Sequence, residues 1–133
     1  MKVIIAGSRS ITNHDVIVSA LYDSMRESGF EITEVVSGMA KGVDTFAAWW
    51  AAHKGLPLKK FYPDYAHRSG KIAPILRNTE MALYADALIA IWDGESRGTK
   101  HMIEYMRDKM MKPVFVKVIK KCLTTTKSWI RED

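Results

Sequence analysis

Short apolar runs that end in glycine alternate along the chain with longer amphipathic stretches. "KVIIAG" at Lys2–Gly7 is a β-branched run and predicts a buried strand. Thr12 or Asn13 can cap a helix over "HDVIVSALYDSMRESG", in which Val16, Ala20 and Met25 share a face with Val18 and Leu21 beside it; Gly29 is the stop signal. "EVVSG" predicts the second strand, and a helix follows from Lys41 to His53 with Gly55 as terminator. "LPLKKFYP" carries a third, weaker strand. The stretch "DYAHRSGKIAP" is irregular, bracketed by Pro63 and Pro74 and loosened by Gly70. "ILRNTEMALYA" reads as a helix and "DALIAIWDG" as a strand apolar nearly throughout, as when both faces are covered. "GTKHMIEYMRDKMM" predicts the fourth helix and "KPVFVKVI" the fifth strand. Residues 1–118 make one domain. The remainder, 119–133, is a tail whose "SWIRED" either docks through Trp129 and Ile130 or frays.

Strand–helix alternation of this kind implies an α/β fold. The expected architecture is a single Rossmann-like, three-layer domain: a five-stranded parallel sheet of order 3-2-1-4-5 with helices on both faces. Ligands of such sheets lie beyond the carboxyl ends of the strands, where strand order reverses. "GSRS" after strand one, "SGMAKG" after strand two and "WDGESRGT" after strand four therefore share one edge.

Composition narrows the classes. Of the 133 residues 47% are apolar, enough for a core, yet no run approaches the roughly 20 residues of a membrane span. The lone Cys122 excludes an internal disulfide framework and a cysteine zinc site, and no secretory leader is evident, so a cytoplasmic location is expected. A net charge of +5 and pI near 9.4 favour anionic partners, nucleotides first and nucleic acid more weakly.

The loops hold the candidate chemistry. Gly98 and Thr99 open a helix, whose free N–H groups and partial positive charge suit a phosphate; Gly94 allows close backbone approach, and Arg97 lies beside them. In the first loop, Gly7, Ser8 and Arg9 are candidates, Arg9 as a bidentate phosphate partner. In the second, Ser37, Gly38, Lys41 and Gly42 are candidates, Lys41 either reaching a phosphate or simply solvated. Asp44 either accepts from ribose hydroxyls or loop N–H groups, or simply favours the helix dipole. Arg77 and Asn78 begin the third helix, near a loop able to fold over the site. Trp92 and Asp93 end strand four, Trp92 for base stacking or core packing. Trp49 and Trp50 face about 100° apart, one to the core and one to a margin or dimer contact. Met102, Met106 and Met110 have core spacing. His14, His53, His67 and His101 show no paired ligand spacing, so neither metal nor cofactor is expected.

Together, "AGSRS", "SGMAKGVD" and "PILRNTEMALYADALIAIWDGESRGTKHMI" resemble the YspA-related branch of the SLOG superfamily, nearly to Val118. That superfamily includes the Lonely Guy phosphoribohydrolases, DNA-processing protein A and sensors of NAD-derived nucleotides. The resemblance implies a Rossmann-like fold, a nucleotide or nucleotide-sugar site, and dimerisation or higher homo-oligomers. Lonely Guy enzymes carry an arginine, matched by Arg77, and a "PGGxGTxxE" loop, whose end is matched by "SRGT". Their glutamate position is Met102 here, and Glu104 falls about 200° around the helix from it. Asp44, Asp93 or Glu95 would have to replace that carboxylate. Three functions follow in rank order. The first is binding of an ADP-ribose- or NAD-derived nucleotide or a nucleoside monophosphate, as sensor or sequestering module. The second is nucleoside 5′-monophosphate N-glycosidase activity with Arg77 and Asp44 as catalytic residues. The third is single-stranded DNA binding.

Overall fold

The computed structural model describes residues 1–121 and 129–132. Five strands, β1 (Lys2–Gly7), β2 (Glu34–Ser37), β3 (Leu58–Lys60), β4 (Ala87–Trp92) and β5 (Val114–Lys121), pair in parallel. Their order is the expected 3-2-1-4-5. A sixth strand, β6 (Trp129–Glu132), extends the sheet by pairing antiparallel with β5, Val118 opposite Glu132 and Lys121 opposite Trp129. β5 thus runs past residue 118, and the backbone pairing covers what would otherwise be an open edge. Cys122 lies outside the described residues.

The register explains the apolar strands. Successive side chains alternate between faces. Val3, Ile5, Val35, Ile89 and Ile91 pack under α1 (His14–Ser28) and α2 (Val43–His53), against Ile17, Leu21, Phe46 and Trp50. Ile4, Val36, Leu88 and Ala90 pack under α3 (Ala73–Tyr84) and α4 (Arg97–Glu104), against Met81, Ala82, Met102 and Met106. Each layer buries one set, which is why no polar alternation is visible in β1 or β4. No helix among the described residues is long and apolar enough to cross a membrane.

Several local expectations shift. Asn13 caps α1, its Oδ1 accepting from Val16 N–H at 3.2 Å, and Gly29 closes it in the left-handed region at φ 73°. The buried face of α1 is Ile17, Ala20, Leu21 and Ser24, with Val16, Val18 and Met25 at its margins. Ser24 is tolerated there because its hydroxyl donates to the Ala20 carbonyl at 2.6 Å. Pro74 lies in the first turn of α3, where its missing N–H costs nothing, so it starts the helix instead of closing the preceding loop. The fourth helix is α-helical only to Glu104 and widens into a π-helical turn at Tyr105–Lys109, with Met110 N–H on the Tyr105 carbonyl at 3.0 Å. Trp50 is buried and Trp49 is 52% exposed, stacked on His53 at 5.2 Å.

Lys112, just before β5, ends α3 from outside. Its ammonium donates to the carbonyls of Ala82, Ala85 and Leu83 at 2.8, 2.7 and 3.2 Å. These are the orphan acceptors of a helix C-terminus, and a cation also suits that end of the dipole. Lys112→Met should lower unfolding free energy by about 2 kcal/mol, the scale of hydrogen bonds from a charged donor. Urea denaturation checks this.

Candidate functional site

The β1 and β4 strands end side by side, and their loops are tied to each other before any ligand is considered. Ser8 N–H donates to the Ile91 carbonyl at 3.1 Å, and the buried Ser8 hydroxyl accepts from Asp93 N–H at 2.9 Å. Asp93 organises its own loop: Oδ1 accepts from Glu95 and Ser96 N–H, both at 2.8 Å, and Oδ2 accepts from the Ser10 hydroxyl at 2.9 Å. Burial pushes the Asp93 carboxyl up, but those donors prevail and hold it below the usual carboxylate range. The loop after β2 is built likewise. Ser37 Oγ donates to the Asp44 carbonyl at 2.9 Å and accepts from Met39 N–H at 3.1 Å. Gly42 sits at φ 80°, and a Cβ there would stand 2.7 Å from the Ser8 carbonyl oxygen. Gly7 has still less room, with a Cβ position 2.2 Å from the Ile91 carbonyl oxygen. Close approach at Gly7 and Gly42 is thus between protein segments. Ser8, Ser37, Gly42 and Asp93 form the fabric of the loops.

Other candidates converge on a crevice. An inner cavity of about 80 Å³ has Gly7, Arg9, Asp44, Arg77, Asn78, Gly98 and Thr99 in its walls, over an apolar floor that includes Met81 and Met102. Beside it, an outer cavity of about 490 Å³ is bounded by Arg9, Gly38, Met39, Ala40, Lys41, Pro63, Tyr65 and Arg77. Arg9, Ala40 and Arg77 belong to both. Trp92 stands apart: half-buried, it packs against the α3/α4 layer and donates from Nε1 to the Ser96 carbonyl at 3.0 Å. Gly94 and Arg97 are exposed outside both cavities.

A hydrogen-bonded chain crosses the crevice. Arg77 Nη1 donates to the Gly38 carbonyl at 2.6 Å, and Nε donates to Asn78 Oδ1 at 3.2 Å. An arginine can only donate, so Asn78 presents its amide nitrogen to the other side. That nitrogen reaches the Gly98 carbonyl and His101 Nδ1, each at 3.2 Å. Burial lowers the His101 pKa against the pull of Glu104, which suits an imidazole accepting at Nδ1. Metal-ligand spacing gave no reason to single out His101. Its relevant signal is its position three residues after Gly98, on the same side of α4.

Comparison with known proteins fits this arrangement. The model of the YspA, cpYpsA-related SLOG family matches residues 1–67. Gene 61 protein of Mycobacterium phage D29 is 35% identical over 106 residues, 75% of this chain and 83% of that protein. The chain belongs to the YspA-related SLOG family. Among solved structures, DNA processing protein A (DprA) from Streptococcus pneumoniae matches with a TM-score of 0.66 at 21% identity, over 86% of this chain and 49% of the other. The chain spans about half of that protein, and the likeness is one of fold. The SLOG family match covers the loops after β1 and β2, whereas Arg77, Asn78 and the α4 N-terminus lie beyond it. Family membership supports a nucleotide- or DNA-related role in general terms.

Within this SLOG site the acid is Asp44. Its Oδ1 accepts from Gly7 N–H at 3.2 Å and Oδ2 from Ala40 N–H at 3.4 Å, joining the first two loops. Burial pushes its pKa up to about 6, opposed by the charge of Arg77 and by those two N–H groups. Met102 is buried in the inner floor and Glu104 is exposed elsewhere on α4, so the helix itself brings no carboxylate to the cavity. Among the described residues no group of three His, Cys, Asp or Glu could hold a metal.

The raised pKa has a signed consequence. The folded state holds the Asp44 proton more tightly than the unfolded chain, so this residue's contribution to stability is greatest below pH 3.8 and is lost as pH rises to about 6. The span is worth on the order of 3 kcal/mol. Asp44→Asn cannot titrate there. Between about pH 4 and pH 7, wild type should therefore lose stability relative to the variant by up to that amount, as read by urea denaturation at each pH.

Proposed function

We propose that the protein binds a phosphate-bearing nucleotide or nucleotide-sugar in this crevice, as a sensor or sequestering module. The observation that carries the reading is the state of Arg77. It is only 8% exposed, two of its nitrogens are fixed by Gly38 and Asn78, and Nη2 has no hydrogen bond among the described residues. A guanidinium held in this way is preorganised for an anion and has a donor to spare. Opposite it, α4 begins without a side-chain cap, and Gly98 and Thr99 face the inner cavity. Free helix N–H groups, the dipole and a buried arginine converge on one small space. Arg9 and Lys41 add charge at the outer side, where the volume suits a small molecule. Self-association through the exposed Trp49 belongs to the same reading.

A second reading, hydrolysis of the N-glycosidic bond of a nucleoside monophosphate, is favoured by Asp44. A buried carboxyl poised at about 6 beside a phosphate site has the character of an acid–base group. Such cleavage develops positive charge on the sugar, which a nearby carboxylate stabilises. Both Asp44 oxygens already accept backbone N–H groups, which favours a binding and architectural role over a catalytic one.

Titration calorimetry with AMP should give saturable binding, weakened at least about tenfold in Arg77→Lys, which keeps the charge and loses the fork. Absence of binding by the folded wild-type protein to AMP, ADP-ribose and NAD, each at millimolar concentration, would end the first reading. Chromatography of the same mixtures for free base decides the second: base release that disappears in Asp44→Asn supports it, and no release leaves binding alone.

A further inference from the structure

We infer that His101 is a positioning residue for the crevice: its unprotonated Nδ1 holds Asn78, Asn78 holds Arg77, and a proton on that nitrogen loosens the arginine. What this relay regulates rests on the crevice being an anion site, whereas the relay itself consists of hydrogen bonds within the protein.

The direction of every bond is forced from the Arg77 end. A guanidinium only donates, so its Nε meets the amide oxygen of Asn78 at 3.2 Å. Asn78 then presents both N–H groups of Nδ2 to the other side, one to the Gly98 carbonyl and one to His101 Nδ1, each at 3.2 Å. A carbonyl only accepts, so the Gly98 bond agrees with the orientation set by Arg77. The His101 bond therefore requires a lone pair on Nδ1 and leaves the ring proton on Nε2. Asn78 is 5% exposed, so solvent does not replace a partner it loses.

A second proton on the imidazole breaks this pattern, because both ring nitrogens then donate and Nδ1–H faces Asn78 N–H. Swinging the ring out leaves a buried amide N–H unpaired. Turning the Asn78 amide over sets donor against donor at Arg77 and acceptor against acceptor at Gly98. Either way the guanidinium is held less firmly, with Gly38 as its remaining fixed partner. His101 is half-buried beside the Tyr105 ring at 5.7 Å, so water can deliver the proton. Glu104 favours the charged ring, but burial prevails and keeps it neutral at neutral pH. The other charged groups are turned away: Arg97 and Lys100 are exposed on α4, β4 beneath carries no charge, and Glu80 lies about 200° around α3 from Asn78. Asp44 titrates in the same range with the opposite sense, since its protonation removes a negative charge near Arg77 and favours an anion.

NMR of the full chain without ligand tests the relay, in an Asp44→Asn background that silences the acid. The Arg77 Nε–H and Asn78 amide signals should move with the midpoint of the His101 ring, below its ordinary 6.5. Adding His101→Asn, whose amide oxygen stands in for Nδ1 and takes no proton, should abolish that movement. Calorimetry with AMP reads the consequence. The ratio of wild-type to His101→Asn affinity cancels the titrations of Asp44 and of the ligand phosphate. It should be near one at about pH 7.5 and fall at least about threefold by about pH 5, as the fraction of competent sites falls. His101→Leu should bind AMP at least about threefold more weakly than wild type at the higher pH, with no further loss of this kind below it. Arg77 and Asn78 signals that ignore the His101 midpoint would overturn the relay, and so would an affinity ratio that stays constant with pH. Coupled signals in a folded chain that binds no nucleotide would uphold the relay and end the reading beneath it.

Discussion

A buried guanidinium is tolerable only where its N–H groups find acceptors, and the upper edge of this protein is arranged around that requirement at Arg77. The Gly38 carbonyl supplies one acceptor and Asn78 the other. Gly38 is itself committed: a Cβ there would lie 2.9 Å from Arg77 Nη1. Asn78 is committed too, because accepting from Arg77 orients its amide toward Gly98 and His101. One cation therefore fixes the loop after β2, the start of α3 and the start of α4 relative to one another. The ligand surface proposed above is the face of this arrangement that remains open.

The sheet makes such a bridge possible. Parallel pairing places β1 between β2 and β4, so the three loops leave the same edge within reach of one another. Backbone bonds then lock them. Ser8 joins β1 to β4, and Asp44 joins β1 to β2. Asp44 is kept in a buried place at a cost that grows with pH, offset in part by the same Arg77 charge. Acid, cation and loops are one coupled system, so a substitution at any of them changes geometry as well as charge.

Much of this was legible in the chain because the physics involved is periodic or compositional. Apolar runs ending in glycine revealed strands, and alternation with helices implied a parallel sheet, whose usual order is the one observed. The loops with glycine, serine and charge came out at one edge, and Arg77, Asn78, Arg9, Lys41 and Thr99 do border the cavities. What escaped depended on pairings between distant residues. Ser8, Ser37 and Asp93 look like ligand groups by type, yet each is engaged with neighbouring backbone, a distinction that no spacing encodes. Ser24 disguised the buried face of α1 because a hydroxyl bonded within its own helix reads as polar. The π-helical turn after Glu104 left no mark in the apolar period, and Tyr65 and Met39 sat in stretches without any period.

The crowding at Gly7 also bears on how such a site can diversify. Any side chain at that position would run into the Ile91 carbonyl, and one at Gly42 into the Ser8 carbonyl. Those positions are closed to drift as long as the fold persists. Lys41 and Tyr65, a short distance away, are exposed and hold nothing else in place. Lineages built on this scaffold are thus free to exchange the outer wall of the crevice while inheriting its inner wall intact.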